Sequence, residues 1–324
     1  MGAWQAGATP PPALAVEDPK NLHHWSPWVR AAVFDAEVMS RLGFGTEGAS
    51  KHVMRVWHLE IQPQAGSPPT ATYQPLVSLK RPTEAIFLKQ LNLVNDHADL
   101  RPDRASEILE QMSNPGAFFS SIVFLHPDRN PYTMELIATA LRLANVVEMR
   151  VKHALACRRP VELSPKIQPM VLTPAHGSLP SGHATEAFAS AAVLWTLLRT
   201  AHPTHYGKEV FGQMLMRTAA RIAINRTVAG VHFPVDSVAG AMLGLTLGHY
   251  FARRCAALNG YEAWSFDGSA YPAKADFNWH TLFDTTLPQQ IAAAPYVVSA
   301  GAQPLASSSP ALEWLWTRAL KEWS

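Results

Sequence analysis

The 324-residue chain has only two cysteines, Cys157 and Cys255. They can form at most one disulfide and sit in no metal-type spacing, which excludes a cysteine-stapled framework and a structural zinc site and leaves free buried thiols as the expectation. Charge is also scarce, at 16% of residues, and nearly balanced, at 27 basic against 25 acidic. A net charge of +2 gives no general field for nucleic acid or an anionic membrane, so any positive potential has to be local. Long apolar runs are missing although 48% of residues are hydrophobic. The longest candidates, Ala187 to Leu198 and Ser237 to Gly248, fall well short of the ~18 to 20 residues that span a bilayer, so a dense core is expected and membrane partners are not. No basic region followed by an apolar stretch opens the chain, and a cytoplasmic location is the expectation. A Walker-type phosphate loop is lacking too.

What is present divides into three parts. Residues 1–82 read as a Pro-rich arm followed by a small β-hairpin, with the period-two run Val53, Arg55, Trp57, Leu59, Ile61 as one strand and Ala71 to Leu79 as the other. Residues 83–257 read as helical: Thr83 to Asp99 with Thr83 as N-cap, Asp103 to Met112, Ala117 to Leu125, a long buried helix from Tyr132 to Cys157, then Ala184 to Thr200, Lys208 to Val228 and Pro234 to Arg253. Breaks fall at Asn114-Pro115-Gly116 and His126 to Pro131, and residues 158–180, with five prolines, read as a stiff loop. Residues 258–324 read as an irregular tail ending in an amphipathic helix with Leu312, Leu315, Ala319, Leu320 and Trp323 on one face, able to dock on its own chain or on a second subunit of a homodimer. Gly43-Phe44-Gly45-Thr46-Glu47-Gly48 has the spacing of a dinucleotide fingerprint, but no βαβ unit surrounds it, and it reads as a flexible connector.

Three short segments carry chemistry: Lys152 with Arg159-Pro160, then Pro180-Ser181-Gly182-His183, then Arg226 with His232 and Asp236. Arg159 and Arg226 supply planar forks for oxyanion oxygens, and Lys152 supplies a compact charge. Ser181 and Gly182 precede an Ala-rich helix whose N-terminal N–H groups attract anions, and glycine lets that backbone approach closely. His232 and Asp236 are four apart with Pro234 suited to a first helical turn, so the carboxylate fixes the tautomer of the imidazole and frees its other nitrogen as a nucleophile or metal ligand. His183 is then placed as general acid or base.

In this order the segments resemble the superfamily that joins vanadium-dependent haloperoxidases, bacterial non-specific acid phosphatases and type-2 phosphatidic acid phosphatases, over the stretch from Ala144 to Leu247. The resemblance implies a mainly α fold, a helical bundle of the haloperoxidase/acid phosphatase type. In it Lys152, Arg159, Ser181, Gly182 and Arg226 would hold vanadate, or phosphate in the same place, with His183 as acid/base and His232 as the apical vanadium ligand or the phosphoryl nucleophile. His176 sits where bromoperoxidases carry a histidine five residues before the serine, which implies a role near the oxidised vanadium. Phe233-Pro234-Val235 is closer to the phosphatase form, and known haloperoxidases are much longer. The leading expectation is a haloperoxidase-like enzyme that oxidises halide, bromide first, with hydrogen peroxide at a vanadate held by His232. The alternative is a phosphomonoester hydrolase that forms a phosphohistidine at His232.

Overall fold

The computed structural model describes residues 13–47, 52–112 and 116–324. Nine helices of eight residues or more are described: α1 (Pro27–Met39), α2 (Glu84–His97), α3 (Arg101–Glu110), α4 (Gly116–Val123), α5 (Pro131–Leu155), α6 (Gly182–Ala201), α7 (Glu209–Val228), α8 (Pro234–Cys255) and α9 (Pro310–Leu320). At the centre lies α8, whose run of Ala, Gly, Val and Leu leaves almost no residue exposed. It packs most extensively on α6, which in turn packs on α5 and α7. The approach of α6 and α8 is close because Gly240, Gly244 and Gly248 face Ser181, Thr185 and Ala189. A Cβ at Gly240 would lie 2.5 Å from the Ser181 carbonyl and one at Gly244 would strike that of Thr185.

The β content is larger than the expected hairpin. Strands β1 (Leu42–Glu47), β2 (Val53–Gln64), β3 (Ser67–Lys80), β4 (Gly260–Asp267) and β5 (Val297–Pro304) form one five-stranded sheet in the order β1-β2-β3-β4-β5, and a two-residue ladder joins Phe283–Asp284 to Gln289–Gln290. The hairpin is present as β2 and β3, in antiparallel register with Val56 opposite Val77. Two expectations are corrected. The connector at Gly43 to Gly48 is strand β1 up to Glu47, paired with β2, while Gly48 lies outside the described residues. The tail after Ala256 is not irregular, because β4 runs parallel to β3 with Val77 opposite Trp264, and β5 pairs antiparallel with β4.

The buried face of β2 is also the opposite of the one the apolar alternation suggests. Met54, Val56, His58 and Glu60 point inward, and the polar pair is satisfied there. His58 Nδ1 lies 2.8 Å from the Tyr250 hydroxyl, and Glu60 accepts from the Ala306 N–H at 3.1 Å. A buried polar group with a partner costs little, so hydropathy alone could not choose the face.

The last helix docks on its own chain. Leu312, Leu315, Ala319 and Trp323 are buried, with α9 against α5. Just beyond α9, the Glu322 carboxylate accepts from the Tyr132 and Thr133 N–H groups, each at 2.8 Å, and so caps the N-terminus of α5. Both cysteines are buried and free. No helix among the described residues is long and apolar enough to cross a membrane.

Candidate active site

The three segments converge at one end of the bundle. Lys152 lies in the last turn of α5, which stops when Ala156 turns left-handed and its N–H returns to the Lys152 carbonyl. Arg159 follows as the cap of a short turn at Pro160–Leu163, its N–H held by the Glu162 carboxylate at 2.6 Å. Ser181 is the N-cap of α6, and its N–H donates to the Asp236 carbonyl at 2.9 Å, which ties the start of α6 to the first turn of α8. Arg226 lies near the C-terminus of α7, and the Val231 N–H returns to its carbonyl at 3.1 Å, which folds the chain back toward His232.

The cations are deeply buried, with Lys152 1% exposed and Arg159 and Arg226 2% each. Burial pulls Lys152 down to about 8 and Arg226 down to about 10. Lys152 spends its ammonium protons on the carbonyls of Pro180, Ser178 at 3.2 Å and Gly177 at 3.4 Å. Arg159 donates to the His176 carbonyl at 3.0 Å and the Val231 carbonyl at 2.8 Å. Arg226 donates through Nη2 to the Ile108 carbonyl and to Gln111 Oε1, while its Nε has no partner among the described residues. The fully buried Ser181 hydroxyl has none either.

His232 and Asp236 pair as their spacing suggests, with Nδ1 3.1 Å from Oδ2. The carboxylate also accepts from the Phe233 N–H at 2.9 Å, and Ser178 Oγ lies 3.5 Å from its other oxygen. Arg159 Nη1 donates to His232 Nε2 at 2.9 Å, so Nε2 carries the lone pair and Nδ1 the proton. Burial, then Arg159 and Lys152, hold His232 well below the ordinary histidine range, hence neutral. Burial pushes Asp236 up to about 7, against the pull of the Phe233 N–H, Lys152 and Arg159.

His183 is half-buried and hydrogen-bonds to the backbone of Gln111. Burial, then Arg226, Lys152 and Arg159, hold it down at about 3. His176 is exposed at the rim, its Nδ1 3.1 Å from Arg159 Nη2. Beside His176 and Arg159 a cavity of about 410 Å³ opens, walled also by Arg158, Glu162, Thr173 and Pro174. All nine residues singled out from the sequence lie at this end of the bundle; hydrogen bonds join Arg159 to His176 and His232, and Asp236 to His232 and Ser181, while Lys152, Gly182, His183 and Arg226 bond to none of the other eight.

A tetrahedral oxyanion fits this set. Orphaned buried donors on Ser181 and Arg226 need an acceptor, and three buried cations need a counter-charge. One group complicates the charge balance. Glu148, one turn before Lys152 on α5, is 2% exposed and lies against Gly182. Sequence reasoning missed it, together with Ser178 and Gln111; the signal available was a carboxylate four residues before Lys152 on an otherwise apolar helix face.

Residues 134–258 match the family model described as PAP2 superfamily. Two solved structures overlap about half of the chain. One is the first transmembrane PAP2 type phosphatidylglycerolphosphate phosphatase from Bacillus subtilis, at 20% identity over 51% of this chain and 84% of that one, with a TM-score of 0.41. The other is the first bacterial vanadium-dependent iodoperoxidase, at 18% identity over 50% of this chain and 48% of that one, with a TM-score of 0.39. Among curated proteins none matches the sequence. Lys152, Arg159, Ser181, Arg226, His232 and Asp236 all fall inside the stretch that the PAP2 superfamily model matches.

Proposed function

We propose that the chain is a phosphomonoester hydrolase in which His232 is the nucleophile. The observation that carries this reading is the neutral His232, its Nδ1 on Asp236 and its Nε2 lone pair turned to Arg159 among three buried cations. The ester's phosphoryl oxygens take the orphaned donors of Ser181 and Arg226 and draw the Arg159 guanidinium away from Nε2. His232 Nε2 then attacks phosphorus, the bond to the ester oxygen breaks, and His183 protonates the departing alkoxide. A dianion beside His183 offsets the cations that depress it, so substrate binding itself raises His183 toward the protonated form this step needs. Water next attacks the phosphohistidine, gives its proton to His183, and releases phosphate with His232 neutral again.

A second reading is favoured by His176, which reaches Arg159 at the rim of the cavity. Here Lys152, Arg159, Ser181, Gly182 and Arg226 would hold vanadate and His232 Nε2 would be its ligand. Bound vanadate supplies a Lewis-acidic centre that activates hydrogen peroxide toward halide. In that case His183 would hold or release a proton beside the bound anion, and His176 would line the neighbouring cavity.

One additive separates the two. Hydrolysis of an aryl phosphate that vanadate inhibits supports the first reading; bromide oxidation by peroxide that vanadate switches on, with no ester hydrolysis, replaces it by the second.

A further inference from the structure

Glu148 is out of place in a site built for anions. Its carboxylate lies against the first residue of α6, with Oε1 2.5 Å and Oε2 3.2 Å from where a Cβ on Gly182 would be. Any side chain at 182 would displace it, so Gly182 makes room for this carboxyl as well as exposing its own N–H. Oε2 has no hydrogen-bond partner among the described residues, and neither does the hydroxyl of Ser181, the residue next to Gly182. Around the carboxyl stand Lys152 on its own helix, Glu186 and the Thr185 hydroxyl on α6, and Arg159. A simple ion pair with Lys152 does not explain the free oxygen, because the Lys152 ammonium is committed to the carbonyls of Gly177, Ser178 and Pro180.

A carboxylate and a fully ionised oxyanion repel each other, whereas one shared proton turns the pair into a short charge-assisted hydrogen bond. We propose that Glu148 is a specificity-determining residue that makes the site bind oxyanions together with one shared proton, carried in by the anion or lent by the carboxyl. The inference rests on the oxyanion site described above and holds for phosphate whether or not the ester is hydrolysed. A hydrogen phosphate brings its own proton; sulfate, fully ionised, has to use that of Glu148. Burial first, then Glu186, push Glu148 up to about 8 against the pull of Lys152 and Arg159, so its proton is there at neutral pH and leaves above it. Sulfate binding therefore weakens as pH rises through that value, while phosphate is spared this loss. Lys152 also loses its proton near 8, but that weakens both anions alike and cancels in their ratio.

The test is calorimetric binding of inorganic phosphate and of sulfate to the whole protein between about pH 7 and 9.5, which needs no turnover. The expected result is a sulfate-to-phosphate Kd ratio that climbs up to about tenfold per pH unit above pH 8, as one required proton demands, and that turns flat in Glu148→Gln. A flat ratio in the unaltered protein overturns the proposal even if the variant does not fold, as does an equal slope in the variant. Phosphate binding with a flat ratio leaves the oxyanion site standing; no phosphate binding removes the site and this inference with it.

Discussion

Helices α6 and α8 meet twice, and the two meetings are built on opposite terms. Further along α8, Gly244 and Gly248 lie under Thr185 and Ala189 in the first two turns of α6, backbone pressed on backbone, with Thr185 and Thr246 returning their hydroxyls to carbonyls one turn back in their own helices. At their N-terminal ends, where Ser181 and Asp236 meet, the bundle instead buries an orphaned hydroxyl and, nearby, an orphaned guanidinium nitrogen and carboxylate oxygen. Close packing with satisfied groups stabilises the first region. Unmet hydrogen-bonding capacity in the second costs stability and is kept where a ligand can meet it. One interface thus holds the fold together at one level and leaves it deliberately incomplete at another.

Substitutions in the two regions should separate activity from stability. The largest expected effect is at the unfinished end: His232→Ala lowers kcat by about 10⁴-fold or more, as loss of a nucleophile does, with the melting temperature little changed. A matching loss of melting temperature would make His232 a structural residue. In the closely packed stretch, Gly244→Val costs about 3 kcal/mol because the Thr185 carbonyl has to move; denaturant titration reads the loss, while kcat of the folded fraction stays the same. Ser181→Ala removes one oxyanion donor and lowers kcat by about 10²-fold. The same change deletes a buried hydroxyl without a partner, so the melting temperature holds or rises; a fall as large as that of Gly244→Val would erase the distinction between the two regions. Smallest is His176→Ala at the exposed rim, which raises KM about two- to fivefold, the scale of an exposed polar contact. A collapse of kcat there instead would move His176 into the chemistry and favour the vanadate reading.

The convergence of the candidate residues was more legible in the sequence than the sheet around them. Lys152, Arg159, Ser181, Arg226 and His232 all sit at helix ends or in their loops, where periodicity stops and an unusual residue stands out, and spacing alone pairs His232 with Asp236. Glu148 was hidden because it occupies an inward position of α5 between Ala144, Val147 and Val151, where the helical period reads simply as core. The long helices were legible for the same reason of period. Strand β4 was not, because its ladder is irregular between Ala263 and Trp264, so the buried positions run Tyr261 and Ala263 and then Trp264 and Phe266, and the alternation that marks a half-exposed strand shifts phase midway. Strand β5 carries Gly301 in a left-handed turn of the backbone and ends on Pro304, both turn signals in a linear reading.

The parallel pairing of β3 with β4 has a consequence for the order of events in time. These strands lie on either side of helices α2 to α8, so the loop they close is a long and costly one, and its entropy has to be met by structure already formed between them. The helices, whose contacts begin with near neighbours, assemble first, and the two ends of the chain are fastened together last. Pulsed hydrogen exchange during refolding should protect the amides of α8 before those of β4; the reverse order would mean that the ends find each other without the bundle to guide them.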